Sequence, residues 1–188
     1  MHRARYLCAA ALVLALTARA STATEIVHLD TRALVLESSD IVVGHVQSTR
    51  SYWNAAHTKI FTDVTVGVDE SLKGGATAQL TLTQIGGEVD GVRYTVPLSP
   101  VFTPGEDALL FVWRGRSGRA QVNGLSQGKF EIRTDSATGR RMVQRALPGL
   151  AVRDPRSLRL VPEGERAPEI PLDDMTGEIR RVLAEGGR

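Results

Sequence analysis

Residues 41–46 read Ile-Val-Val-Gly-His-Val, and this nearly continuous β-branched run decides the fold. β-branched residues favour strands, and a run without polar alternation is typical of a strand that is buried on both faces or lines a barrel. Gly44 interrupts the run, and a glycine inside a strand usually marks a bend or a bulge. The stretch therefore predicts a bent, buried strand.

Further strands follow this run, separated by turns rich in glycine and proline. They are predicted at 59–69, 78–85, 92–96, 108–113, 120–124, 129–133 and 141–144. Gly67 interrupts one of them as Gly44 interrupts the first, and small barrels use such bends to close their sheets. Trp113 ends the most apolar stretch and is expected in the core. Short strands at roughly ten-residue spacing predict an all-β barrel or sandwich.

A short helix is predicted on each side of the strands. Residues 29–38 have apolar spacing that suits a short amphipathic helix. The second helix runs from Leu172 to about Ala184, with acidic residues in its first turn and an apolar stripe. Between the strands and this helix, the chain is rich in Pro and Arg up to Pro171. We therefore divide the chain into 1–20, a β-domain at 21–147, and a C-terminal segment at 148–188.

The first twenty residues have the pattern of a secretion signal. Arg3 and Arg5 precede an apolar run from Tyr6 to Ala18, and Ala18-Arg19-Ala20 is the small-x-small pattern that signal peptidases cut. The run is shorter than the roughly 20 residues that span a bilayer. We expect an exported protein, periplasmic or extracellular, cleaved near Ala20.

Charge and cysteine content change once the signal is removed. The formal net charge of +2 includes Arg3, Arg5 and Arg19, so it becomes −1 after cleavage. The only cysteine, Cys8, lies within the signal, so no disulfide is expected. Acidic groups predominate in residues 21–113, and arginines predominate in residues 114–159. This division either steers a charged partner or is a solvated surface whose opposite patches pair.

Two patterns raise the alternative of an enzyme. Gly124-Leu-Ser126-Gln-Gly128 matches the nucleophile elbow of serine hydrolases, but the chain after it alternates as a strand and has no later histidine. His28, His45 and His57 could hold a metal, but their spacing matches no local ligand pattern. His45 is expected in the core or at the barrel rim. We predict no catalytic residue, no metal and no cofactor.

Large aromatic residues follow the first strand directly. Tyr52 and Trp53 precede a polar loop, where they either anchor a partner or fold back over a barrel end. Arg114 and Arg116 begin the arginine-rich half of the chain. These four residues are the predicted partner-binding site.

A family resemblance rests on three motifs in order. They are Leu36-Glu-Ser-Ser-Asp-Ile-Val-Val-Gly-His-Val46, Ser71-Leu-Lys-Gly74 and Phe102-Thr-Pro-Gly-Glu-Asp-Ala-Leu-Leu-Phe111. Together with Gly124-Leu-Ser-Gln-Gly-Lys-Phe130, they resemble the netrin-module and tissue-inhibitor-of-metalloproteinases superfamily, in particular its uncharacterised bacterial exported members. The resemblance covers about residues 33–133.

The resemblance implies a small OB-like Greek-key barrel whose strand face and connecting loops bind partners. Inhibitors of that superfamily place an N-terminal cysteine on the catalytic zinc of a protease. The chain after Ala20 has no cysteine, so this mode of inhibition does not carry over.

Three functions remain open from the sequence. The first is a non-catalytic exported module that binds a protein, with a secreted metalloprotease as one candidate partner. The second is a hydrolase that uses Ser126 or a histidine-bound metal. The third is an arginine-rich OB fold that binds an acidic polymer such as nucleic acid or an acidic glycan, although export and a net charge near zero argue against nucleic acid.

Overall fold

The computed structural model describes residues 25–75, 78–116, 118–145, 151–153, 157, 159 and 169–186. The predicted signal and most of the Pro- and Arg-rich segment lie outside these residues. The strands of the described part are β1 Glu25–Val27, β2 Asp40–Trp53, β3 Ile60–Lys73, β4 Gln79–Ile85, β5 Gly87–Val89, β6 Val92–Tyr94, β7 Asp107–Arg114, β8 Ala120–Val122, β9 Lys129–Thr134, β10 Arg141–Arg145, β11 Ala151–Arg153 and β12 Ile170–Pro171. The helices are α1 Thr31–Glu37 and α2 Leu172–Gly186.

Five strands close into a barrel. They lie in the order β7-β2-β3-β4-β8, and β8 pairs again with β7. All neighbours in this ring are antiparallel except β4 and β8, which run parallel. This arrangement is that of an OB-like Greek-key barrel, so the predicted fold class is confirmed.

The sheet continues beyond the barrel on the side of β7. Strands β9, β10 and β12 extend it, each antiparallel to its neighbour. Both faces of the sheet at β2 and β7 are consequently covered, and this explains the nearly continuous apolar runs that the sequence shows. Two further pairs lie apart from this sheet: β1 with β11, and β5 with β6.

Apolar side chains form two cores, one on each side of β2 and β7. The barrel core lies inside the ring of strands and consists of Val42, Val46, Val64, Val66, Leu80, Leu82, Ala108, Leu110, Val112, Ala120 and Val122. The outer core lies between the sheet and the helices and consists of Leu34, Val35, Ile41, Val43, Leu109, Phe111, Phe130, Ile132, Val143, Leu172, Met175, Ile179 and Val182. Alternate residues of β2 and β7 point into different cores.

Both predicted helices are present and pack on the outer core. Asp30 caps α1, since its side chain accepts a hydrogen bond of 2.7 Å from the backbone N–H of Ala33. Asp173 and Asp174 lie in the first turn of α2, where their charges complement the helix dipole. No helix among the described residues has both the length and the apolarity needed to cross a membrane.

Glycine makes the bends of β2 and β3 feasible, as predicted. The register between these strands shifts at three points, one of them between Val43 and Gly44. A Cβ at Gly44 would lie 2.2 Å from the carbonyl oxygen of Gly67, so the two backbones approach more closely than any side chain permits. Asp90 and Gly91 have φ of 52° and 76°, and they form the tight turn of the β5–β6 hairpin.

Trp113 corrects one expectation, because it is 46 % exposed rather than part of the core. It shares a face of β7 with Leu109 and Phe111, which are fully buried in the outer core. Trp113 is not a member of that core and pairs with Gln121 near the end of the strand. The apolar residues before Trp113 in the sequence therefore do not indicate that its own side chain is buried.

Candidate binding face

Tyr52 lies on the outer face of the barrel. The register shift between Val46 and Ser48 sets which side chains point outward in the last part of β2. Tyr52 pairs across the strands with Phe61, whereas Ser51 pairs with Thr62 on the interior side. The rings of Tyr52 and Phe61 stack with centroids 6.2 Å apart and planes inclined by 28°. Two aromatic side chains thus form a joint outward surface.

Asp63 and Arg119 extend this surface with opposite charges. Asp63 Oδ1 accepts hydrogen bonds from Tyr52 Oη at 3.2 Å and from Thr83 Oγ1 at 2.8 Å. The guanidinium of Arg119 lies 5.6 Å from the centroid of the Phe61 ring, within cation–π range. We call the half-buried Tyr52, Phe61 and Asp63, the exposed Arg119 and the buried Thr83 the outer patch.

Burial raises the pKa of the Tyr52 hydroxyl above its ordinary value, and the nearby Asp63 carboxylate raises it further. The positive charge of Arg119 acts in the opposite direction with a smaller effect. Tyr52 is therefore a neutral hydrogen-bond donor at physiological pH. Its hydroxyl holds Asp63 by a hydrogen bond, and its side chain is half-buried.

Trp53 is the last residue of β2, where it pairs with Ile60 and the loop to β3 begins. Its ring stacks on His57, with centroids 5.7 Å apart. Asn54 organises the loop, because its Oδ1 accepts hydrogen bonds from the backbone N–H groups of Thr58 at 2.8 Å and Lys59 at 3.0 Å. These bonds hold Trp53 and His57 together as a second aromatic surface at the barrel end.

The two predicted arginines do not join the outer patch. Arg114 Nε donates to Asp40 Oδ2 at 2.8 Å, and Asp40 begins β2, at the opposite end of that strand from Tyr52. Arg116 is exposed in the loop between β7 and β8. The arginine that does reach the patch is Arg119, at the far end of the same loop. Sequence reasoning missed Arg119, Phe61 and Asp63.

The segment proposed for catalysis lacks the local structure of a serine hydrolase nucleophile. Leu125–Gly128 forms a 3-10 turn that leads into β9, in place of the helix that a nucleophile elbow requires. Ser126 Oγ is buried and has no hydrogen-bond partner among the described residues, so no histidine of that part activates it.

The histidines proposed for a metal are also engaged in separate contacts. His45 Nδ1 lies 3.2 Å from Asp69 Oδ1, and its side chain is 44 % exposed, which places it outside both cores. His57 stacks on Trp53. Within the described ranges, no three His, Cys, Asp or Glu side chains group in a way that could hold a metal ion.

Comparison of the chain with protein-family models, with curated proteins and with solved structures found no match.

Proposed function

We propose that this chain is a non-catalytic exported module that binds a protein partner through the outer patch and the adjacent Trp53 loop. The observation that carries this proposal is the stacking of Tyr52 on Phe61, with Arg119 over the same ring, on the outward side of β2 and β3. Aromatic residues and arginine are the side chains that most often dominate the energy of protein interfaces.

The position of the patch within the fold also supports this function. OB folds commonly bind their ligands on the face of the second and third strands and with the loops after the first and fourth strands. Those strands are β3 and β4 in this barrel, and the loops are the one that begins after Trp53 and the one that ends at Arg119. The same fold serves many functions, so the position of the patch supports binding only by analogy. The kind of partner must be inferred from the side chains of the patch.

The central acid of the patch favours a protein over a polyanion. Asp63 lies between Tyr52 and Thr83, and a phosphate or sulfate chain laid across the patch would meet its negative charge. Tyr52 and Phe61 stack on each other, so their facing surfaces are not available to two separate bases. A protein partner can pair a cation with Asp63 and an acid with Arg119 at once.

The test is a pull-down of extracytoplasmic proteins with wild type, with a Tyr52→Ala/Trp53→Ala double variant and with Arg119→Ala. Partners retained by wild type are identified by mass spectrometry and purified, and their Kd values are measured. We expect each variant to weaken binding by about 10- to 30-fold, as loss of an interface hot spot does. Tyr94→Ala and Arg140→Ala are matched controls, because both residues are exposed and lie outside the patch.

Two outcomes would contradict the proposal. One is that wild type retains no protein, and the other is that the Tyr52→Ala/Trp53→Ala variant retains the same proteins with the same Kd. A secreted metalloprotease is the partner class to assay first, by its rate of casein hydrolysis with and without the module. A filter-binding assay tests the acidic-polymer function. That function would be favoured if the protein retained single-stranded DNA or heparin in a salt-sensitive way and Arg119→Ala abolished the retention.

A further inference from the structure

A cavity of about 360 Å³ opens at the mouth of the barrel, on the interior side of the strands that carry the outer patch. Its floor is formed by the ends of β2, β3 and β4. Its walls are the β5–β6 hairpin and the segment 95–102, which we call the strap. Small-molecule sites are commonly of this size and are found in the mouths of β-barrels.

One buried polar group in the cavity has no partner. Gln84 is 8 % exposed and follows Leu80 and Leu82 along the interior side of β4. Its Nε2 has no hydrogen-bond partner among the described residues. A buried donor without an acceptor destabilises the fold, so such a group in a native protein needs an explanation. An acceptor on a bound molecule would supply one.

Two hydroxyl groups of the floor already use their protons. Thr62 Oγ1 donates to the carbonyl oxygen of Gly86 at 2.7 Å, and it lies 2.8 Å from Ser51 Oγ. Because the Thr62 proton is committed to Gly86, Ser51 is the donor to Thr62. The hydroxyl pair therefore orders the floor, and Gln84, which also lines the cavity, has the buried donor without a partner.

The strap is fixed in place before any ligand binds. Ser99 Oγ donates to the carbonyl oxygen of Ile85 at 3.1 Å. The backbone N–H of Ser126 donates to the carbonyl oxygen of Leu98 at 3.0 Å. Lys129 Nζ, whose side chain is 6 % exposed, donates to the carbonyl oxygen of Val101 at 2.5 Å and lies over the Phe102 ring. A preformed cavity binds its ligand without the cost of ordering the wall.

Among the residues that the structure describes, the lining carries no uncompensated charge. Glu88 and Arg93 are its two charged residues, and they pair with each other at 2.7 Å. Apolar side chains supply most of the remaining wall, among them Val64, Ile85, Val96 and Phe102. We propose that this cavity binds a small, neutral, mainly apolar molecule with a carbonyl or similar acceptor, which Gln84 Nε2 recognises.

The test compares two probes of similar shape, acetophenone and ethylbenzene, of which only the first carries an acceptor. Each is titrated into the ¹⁵N-labelled protein and followed by ¹H–¹⁵N spectra. We expect shifts at the backbone amides of Thr62, Gln84 and Phe102 and at the Gln84 side-chain amide. Acetophenone should bind about threefold to tenfold more tightly, the contribution of one hydrogen bond.

Gln84→Leu should reduce the ratio of the Kd values of ethylbenzene and acetophenone to about one. The substitution removes the donor and keeps a side chain of similar size. Gln79→Leu is the matched control, since Gln79 is exposed on the opposite face of the same strand and should leave the preference intact. If Gln84→Leu does not fold, the preference of the wild type decides alone. Equal Kd values for the two probes, shifts outside the cavity, or no shift with either, meaning a cavity that holds water only, would overturn the proposal.

Discussion

At the scale of single residues, Tyr52 is the clearest case of an environment that changes a side chain's chemistry. Its hydroxyl is partly desolvated and donates to a carboxylate, so its neutral form is favoured in the folded state. A raised pKa means that the folded state binds the phenol proton more tightly than the unfolded state does. The stabilising contribution is therefore complete below the ordinary value of 10.0, and it disappears as pH rises through the folded-state pKa.

The prediction is a pH-dependent difference between wild type and Tyr52→Phe. Below pH 10.0, we expect the variant to be less stable by about 0.5–1.5 kcal/mol, the contribution of one hydrogen bond. Above 10.0 the difference should shrink, because ionised Tyr52 faces Asp63 in the wild type. Urea unfolding at a series of pH values measures it, with Tyr94→Phe as the control. A difference that is constant or grows with pH would contradict the assignment.

The candidate site could be predicted only in part, and the reason lies in the same residues. Tyr52 and Trp53 were found because two large aromatics precede a polar loop. Phe61 gave no such signal, since it sits next to the buried Ile60 in an ordinary alternating strand. Arg119 reaches the outer patch only because β8 closes the barrel against β7 and β4, a contact between distant parts of the chain. Gln84 did carry a signal, because it continues the interior positions Leu80 and Leu82.

At the scale of secondary structure, β2 shows how far local patterns lead. The apolar run predicted its first part, but the strand continues through polar residues to Trp53. Pairing with β3 along this whole length satisfies the backbone of the polar part, and no local propensity reports that pairing. The short strands β1, β11 and β12 escaped prediction because they too depend on pairing with distant strands and not on local propensity. Alternation predicted β3 and β4 well, because one of their faces is buried.

Gly44 provides the prediction at this scale. A Cβ there would lie 2.2 Å from the backbone oxygen of Gly67, and backbone in a paired strand cannot move aside as a side chain can. We expect Gly44→Ala to lower the free energy of unfolding by about 1–3 kcal/mol or more. Gly75→Ala is the matched control, because nothing lies within 4 Å of its added methyl group, and it should change stability by less than about 0.5 kcal/mol.

Urea unfolding of the two glycine variants beside wild type measures the difference. The comparison isolates the close approach of β2 to β3, since both variants add the same methyl group. Equal midpoints for Gly44→Ala and Gly75→Ala would show that the two strands separate easily at this point. The bulge would then not depend on glycine.

At the scale of the whole molecule, two cores share the same walls. Ile41 and Val43 of β2 belong to the outer core, whereas Val42 between them belongs to the barrel core. β7 alternates in the same way with Leu109 and Leu110. Loss of either core exposes one face of these two strands. The barrel and the helices on its outside should therefore stabilise each other.

The prediction is that the two cores unfold together. Ile179→Ala in the outer core and Leu82→Ala in the barrel core each remove a fully buried side chain, so each should cost about 2–5 kcal/mol. In both variants, the transitions followed by far-UV circular dichroism and by tryptophan fluorescence should move together. Arg181→Ala, at an exposed position of α2, is the control and should shift neither. If Ile179→Ala separates the two transitions, α2 unfolds independently of the barrel, and β2 and β7 do not couple the cores.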